Sequence, residues 1–476
     1  MSVEHSICPD IYHPAVALDG LLTRLRIPGG MLTAPQCSAI ANLLTTTGLD
    51  YIQVTNRANL QLRALTTDFD QELLTKLADD GLSTGNTAIE GIRNIMLSPT
   101  AGLDAQELID VYPLAAAWDD YLAAHLELGV LSTKFSVGFD GGGSVSIIDR
   151  PNDITLLAVN DREFELYLSI GDRGSAPVPV GVRLGIDECL PMLVAIAQTY
   201  RQGIELFGRA ARRKPRLRDV INHWSLAGVG EIVQREFAGS RRFIFKNLGL
   251  ENNLVRANST DHLGVHQQRQ TDRYYLGIVL PLGRWYRSHV QGLGEIAKQY
   301  GSGSIRLTPW QNIILPDVQI EDLARVQALI TELGLVQIAN HPSSLLRACA
   351  GSTGCQFGAT DTQQDAIDLS NYLAAKHHLD RPLSIHFSGC DKSCAQSDPA
   401  DITLWGVEGT DRYRLEFEGV VAEFGPESGD LYTPAQVPMT IGKVIEAYHR
   451  QRLNPQESFQ AFIIRQAPTQ LHQILN

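Results

Sequence analysis

The chain has 476 residues, of which 44% are hydrophobic, 20% charged and 7% aromatic. That is globular composition, and it excludes a disordered or low-complexity protein. The formal charge is −13, so the chain lacks the basic field that nonspecific nucleic-acid binding requires.

The first residues, MSVEHSICPDIYHP, show neither a basic n-region nor an apolar h-region. No stretch reaches the ~18 apolar residues of a membrane helix. The expectation is a cytoplasmic protein with no membrane segment and no nucleic-acid partner.

Residues 26–62 predict strand, Pro-Gly turn, helix, strand, tight Thr-centred turn and strand. Ile52 and Val54 alternate with polar residues, as a half-buried strand does. Cys37 falls on the predicted helix and reads as core. Residues 131–137, LSTKFSV, predict another strand. Gly141-Gly142-Gly143 is not followed by a helix carrying Lys-Ser/Thr, so a hairpin tip is favoured over a phosphate loop. Cys189 stands alone near a helix start. The run from Arg209 to Arg218 holds six Arg or Lys. It reads as a solvated helix face, with docking of an acidic electron carrier as the competing reading.

Then the chain repeats itself. Residues 279–315 follow the pattern of 26–62, and Thr308 stands 253 residues after Thr55. At that offset Gly283 answers Gly30, Asn312 answers Asn59, and Leu315 answers Leu62. Residues 383–389, LSIHFSG, resemble 131–137, which pairs Phe387 with Phe135, Ser388 with Ser136 and His386 with Lys134. Asp401-Ile402-Thr403-Leu404 repeats Asp153-Ile154-Thr155-Leu156. Two consecutive matches at nearly one offset predict an α+β protein of two fused, pseudo-symmetric halves. The expected boundaries are a first half-domain at 15–85, an α/β domain at 90–210, and a linker at 211–272. The second copy of the half-domain follows at 273–338, and the second α/β domain at 341–476.

Four of the seven cysteines fall close together. Cys349 and Cys355 are spaced C-x5-C; Cys390 and Cys394 are spaced C-x3-C. Gly and Ser surround them. Small residues let the backbone approach a cube of iron and sulfide and leave N–H groups free for its sulfurs. Zinc is the competing reading, but structural zinc favours tighter pairs.

This paired spacing resembles the [4Fe–4S] signature of the nitrite and sulfite reductase family, whose members are also built of two pseudo-symmetric halves. The resemblance implies ferredoxin-like halves at 15–85 and 273–338, a tetrapyrrole-binding domain at 90–210 and a [4Fe–4S]/tetrapyrrole domain at 341–476, with a sirohaem beside the cluster, bridged to it by the last cysteine, here Cys394. Three segments, CPDIYHPAVALDGLLTRLRIPGGMLT, NRANLQLR and KFSVGFDGGG, resemble the precorrin-3B synthase branch of that family. That branch implies O2-dependent hydroxylation and γ-lactone formation on precorrin-3A in aerobic cobalamin biosynthesis, with a mononuclear iron as a further cofactor. The family's anion-binding strand reads Lys-x-Lys, whereas this chain has Lys134-Phe135-Ser136. Another family arginine falls in 110–116, which holds no base. A pocket short of cations favours the synthase over the alternative, a sirohaem-dependent ferredoxin nitrite or sulfite reductase. A tetrapyrrole carrier is a third reading.

Tetrapyrroles of this class are fringed with carboxylates, which call for Arg forks and Lys charges. The expected contacts are Arg57, Arg63, Arg93, Lys134, Arg306, Asn312 and Arg347, with Arg57 and Lys134 as the catalytic pair. His386 reads either as an iron or substrate contact or as a satisfied strand histidine. The expected partners are precorrin-3A, O2, and ferredoxin or a reductase as electron donor.

Overall fold

The computed structural model describes residues 8–171, 177–207, 214–249, 260–396, 399–420 and 431–475. The chain divides into two compact units. The larger comprises Met1–Ala15, Leu21–Ile278 and Trp285–Leu335; the smaller comprises Val16–Gly20, Val279–Arg284 and Val336–Asn476.

The repeated segments of the larger unit form two sheets of one strand order. In the first, Gly20–Leu25 lies beside Leu60–Leu65, then Tyr51–Val54, then Arg284–Tyr286. In the second, Arg273–Ile278 lies beside Ile313–Gln319, then Ser304–Leu307, then Met31–Thr33. Each copy therefore lends one short strand to the other's sheet. The exchange is reciprocal, as a local twofold requires.

Matching backbone details underlie the match. Thr55 and Thr308 each close a turn, with N–H bonds to Asn59 O at 2.8 Å and to Asn312 O at 3.0 Å. Ala58 (φ 52°) and Gln311 (φ 61°) hold the left-handed position of those turns. The first helix, Ala34–Thr47, starts on a Thr33–Gln36 capping box and ends on Gly48 at φ 71°.

The larger unit also holds the sheet Val178–Gly185, Glu163–Leu168, Ile154–Ala158, Ser136–Asp140, Asn94–Leu97. Its last three strands are mutually parallel. Helix Ile186–Phe207 covers one face through Met192, Leu193, Ile196 and Tyr200. Within 211–272, helices Leu217–Trp224 and Leu226–Glu236 add Val220, Ile221, Val229 and Val233 to that same core.

The smaller unit repeats this plan with one strand fewer. Leu346–Ala348, Ile385–Ser388 and Ile402–Gly406 run parallel, and Tyr413–Phe417 is antiparallel to the last. Leu346, Ile385, Phe387, Ile402 and Leu404 pack with helices Thr362–Lys376 and Val437–Gln451.

The register corrects one detail of the repeat. Ser136 donates its N–H and Oγ to Asp153 Oδ2 at 3.0 and 3.3 Å. Ser384 does the same to Asp401 Oδ2 at 2.8 and 2.7 Å. Val137 pairs with Ile154 as Ile385 pairs with Ile402. Ser136 thus answers Ser384, not Ser388. Phe139 answers Phe387, and Gly138 answers His386.

Candidate functional site

In the smaller unit the cysteines occupy loops at the carboxyl ends of adjacent parallel strands, where ligands of open α/β sheets bind. Cys349 follows strand Leu346–Ala348, and Cys390 follows Ile385–Ser388. None of the four is in a disulfide; Cys394 is exposed and the other three are half-buried.

The loops are tied to one another. Gly389 N–H donates to Cys349 Sγ at 3.2 Å. Ala359 N–H donates to Gly389 O at 2.8 Å. Lys392 Nζ lies 3.0 Å from the centre of the Phe357 ring. Glycines make the approach possible. A Cβ on Gly358 would stand 2.4 Å from Gly351 C, and one on Gly389 would stand 3.1 Å from Gly358 Cα. Thr362 anchors Cys349 by donating to its carbonyl at 2.8 Å, with its Oγ1 3.6 Å from the sulfur.

The donor set fits an iron–sulfur cluster: four thiols on glycine-lined loops, one already receiving a backbone N–H. Among the described residues no group of three His, Cys, Asp or Glu is arranged to hold a single metal ion. A cubane, which takes one thiolate on each of four irons, spreads its ligands more widely. The mononuclear iron finds no such ligand group there.

The face of this sheet opposite the apolar core is polar and buried. Arg347, His386 and Thr403 stand in register across three strands, with Ser388 beyond. Arg347 Nη1 donates to Leu346 O at 2.8 Å and Ser344 O at 3.2 Å. Burial, reinforced by the Arg347 charge, pushes the His386 imidazole down to about 4. Its Nε2 has no hydrogen-bond partner among the described residues.

In the larger unit a second polar cluster forms around Asp153. Arg57 donates to Asn152 Oδ1 at 3.0 Å and Pro151 O at 2.5 Å. Arg216 Nη2 reaches Asp153 Oδ1 and the Lys134 carbonyl, each at 3.2 Å. The Lys134 side chain is exposed. Burial pushes Asp153 above the usual carboxylate range, while Arg216 and Arg57 oppose the shift. Arg26 is buried nearby in the field of Asp10 and Glu90, and burial brings its guanidinium down to about 10. Its Nε and Nη2 find no partner among the described residues.

Sequence reading missed Arg26, Asp153 and Arg216. Arg24 and Arg26, two residues apart at a strand end, were a usable signal for one cationic face. Arg216 was hidden in the basic run, of which 209–213 lie outside the described residues. The other expected contacts are held internally. Arg93 forms a fork on Asp119 at 2.8 and 2.7 Å and reaches Glu90 at 3.4 Å. Arg306 donates to Pro99 O at 3.2 Å and to Ala101 O. Asn312 is fully buried, with Nδ2 3.4 Å from His262 Nε2. Arg63 is half-buried.

Comparison with known proteins decides the family. A model described as the nitrite/sulfite reductase ferredoxin-like half domain matches residues 17–79 and 266–333. One described as the nitrite and sulphite reductase 4Fe-4S domain matches 88–240. The ferredoxin–nitrite reductase of Synechococcus elongatus is 33% identical over 400 residues, covering 81% of this chain and 76% of that protein. The chloroplastic ferredoxin–nitrite reductase of Zea mays is 29% identical, covering 81% and 69%. The chain belongs to the nitrite and sulfite reductase family. The solved structure of the Mycobacterium tuberculosis NirA protein shares the fold, with TM-score 0.75 at 20% identity over 95% of this chain and 84% of that one.

The protein is therefore an iron–sulfur oxidoreductase of this family, with the expected α+β fold of two halves. A [4Fe–4S] cluster with sirohaem agrees with the family. The matched stretch 88–240 contains one cysteine, Cys189, buried with its thiol pushed up to about 12. A single buried thiol cannot supply the four ligands of a cluster.

The precorrin-3B synthase expectation is overturned, because the relatives that match over most of the chain are ferredoxin–nitrite reductases. Monooxygenase chemistry, a place in cobalamin biosynthesis, and precorrin-3A and O2 as partners go with it. The physical error lay at Ser136. Its side chain is buried on Asp153 and does not line an open pocket. A lysine absent from that position therefore says nothing about an anion pocket; the cation nearest to it, Arg216, is paired with Asp153 and bonded to the Lys134 carbonyl. No described helix is long and apolar enough to cross a membrane.

Proposed function

We propose that this protein is a ferredoxin-dependent, sirohaem-containing nitrite reductase, converting nitrite to ammonium with six electrons delivered singly. The observation that carries the reading is the 33% identity to a cyanobacterial ferredoxin–nitrite reductase over 81% of this chain. Ferredoxin comes to this chain from the names of such relatives.

Cys349, Cys355, Cys390 and Cys394 would hold the cluster in this reading. Sirohaem, when bound, supplies the iron that takes up nitrite. The Gly389 N–H draws electron density from the Cys349 sulfur, which would raise the potential of a cluster that this sulfur ligates. Within the larger unit, Arg57 and Lys134 carry positive charge of the kind that anion recognition needs. Arg57 stays cationic despite its burial, because guanidinium does not give up its proton near neutral pH. Two of its nitrogens are pinned by Asn152 and Pro151, so its orientation is set before the anion arrives. The exposed Lys134 ammonium can pass a proton and recover it from water.

The visible spectrum of the purified protein tests the reading. Sirohaem bands should be present without added tetrapyrrole and should shift when nitrite is added. A cluster-only spectrum that nitrite leaves unchanged would contradict it.

A further inference from the structure

The His386 nitrogen left unpaired in the smaller unit has no counterpart in the first copy. A buried polar atom without a partner is costly and rare, and it calls for a specific explanation. The repeat supplies a control. Gly138 occupies the equivalent position, and a Cβ there would stand 2.7 Å from Asn152 Nδ2. The Asn152 amide therefore covers that part of the first sheet, and its Oδ1 accepts from Arg57 at 3.0 Å. In the second copy Asn152 is answered by Ala400, which carries no polar atom. The His386 ring supplies the polar group there instead. Both copies thus place a polar side chain over the same spot on the polar face. In the first the protein satisfies it; in the second it does not.

The surroundings indicate what is missing. Arg347 stands beside His386 across the ladder and places positive charge there, and Thr403 flanks the other side with a hydroxyl. Both strands, 346–348 and 385–388, run directly into the cysteine loops. A group held at this spot therefore lies against the cluster site. With its pKa held low, the imidazole is neutral near pH 7 and can present a single N–H.

We propose that His386 Nε2–H hydrogen-bonds a carboxylate of the bound tetrapyrrole, with Arg347 beside it supplying the charge. This rests on the sirohaem-containing reading above. It adds a binding residue that anchors the macrocycle to the same two strands that carry Cys349 and Cys390.

The test uses the full-length protein with His386→Phe, which keeps the ring volume and removes both nitrogens, and His386→Gln, which restores a donor. Tetrapyrrole per chain is measured, with its rate of transfer to a scavenging apoprotein. Iron and acid-labile sulfide report the cluster. His386→Phe should release tetrapyrrole about tenfold faster than the unmodified protein, the loss of one hydrogen bond to a charged group. His386→Gln should recover most of the retention, and cluster content should stay level. Should the Phe variant fail to accumulate, His386→Leu makes the same comparison. Equal retention by the variant without a donor would overturn this proposal alone. So would normal retention with weakened nitrite binding, which would make nitrite the bound anion. An unmodified protein that carries no sirohaem would overturn both this proposal and the functional reading.

Discussion

At the residue scale, two buried carboxylates can be tested. Asp153 is held by Arg216, by the Ser136 backbone and by the Ser136 hydroxyl. Removing the charge partner should cost more than removing the hydroxyl, because an uncompensated buried carboxylate is the more expensive state. Arg216→Gln should lower unfolding stability by about 2 kcal/mol and Ser136→Ala by about 0.5–1 kcal/mol. Denaturant midpoints, with cluster content checked, settle the order, and the reverse order would refute this account of Asp153. Asp365 behaves differently. It accepts from the Tyr413 hydroxyl at 2.5 Å, yet burial pushes it up to about 6. An unfolded aspartate titrates near ~3.9. The fold therefore favours the protonated form. Its contribution is fully present below about pH 4 and is lost as pH rises through about 6, by roughly 2–3 kcal/mol in total. Asp365→Asn keeps an acceptor for Tyr413 without the charge. Relative to the unmodified protein, its stability should rise by about 2 kcal/mol between pH 4 and pH 8. A difference that does not change with pH would contradict the assignment.

At the element scale, the exchanged strands depend on one turn. Gly30 has φ 71°, and a Cβ there would meet Leu307 O, in the other copy's strand, at 2.8 Å. Gly303 has a similar φ of 75° but nothing within 4 Å. Gly30→Ala should therefore destabilise by roughly 2–4 kcal/mol and Gly303→Ala by about 1 kcal/mol, since only the first adds a clash to the backbone strain. Equal melting temperatures for the two variants would count against close contact at the exchange. The repeat itself was legible in sequence because the Thr55 and Thr308 turns are local: the side chain, turn and strand it fixes lie within a few residues. The exchange of Met31–Thr33 for Arg284–Tyr286 was not legible, because no local pattern states which sheet a three-residue strand joins. The slip of four residues at His386 has a related cause. Lys134-Phe135-Ser136 and His386-Phe387-Ser388 look alike as chemistry. Register, however, is set by the Ser136–Asp153 and Ser384–Asp401 bonds, which connect residues 17 apart in sequence.

At the scale of the whole molecule, the cysteine loops were the most readable part of the site. Spacing and glycine content are sequence properties, and the chemistry of a cluster demands both. The cationic cluster of the larger unit was less readable. Arg216 belongs to a run that composition alone assigns to solvent, and only folding brings it to Asp153. Reading function from one absent lysine failed for the same reason: position 136 faces a buried carboxylate. The central claim is reduction of nitrite. Its most direct test is a steady-state assay of the purified, cluster-replete protein with reduced ferredoxin, following nitrite and ammonium together. Ammonium should appear mole for mole as nitrite disappears, with six ferredoxins oxidised for each. Failure to form ammonium, with cluster and sirohaem both present, would contradict the assignment.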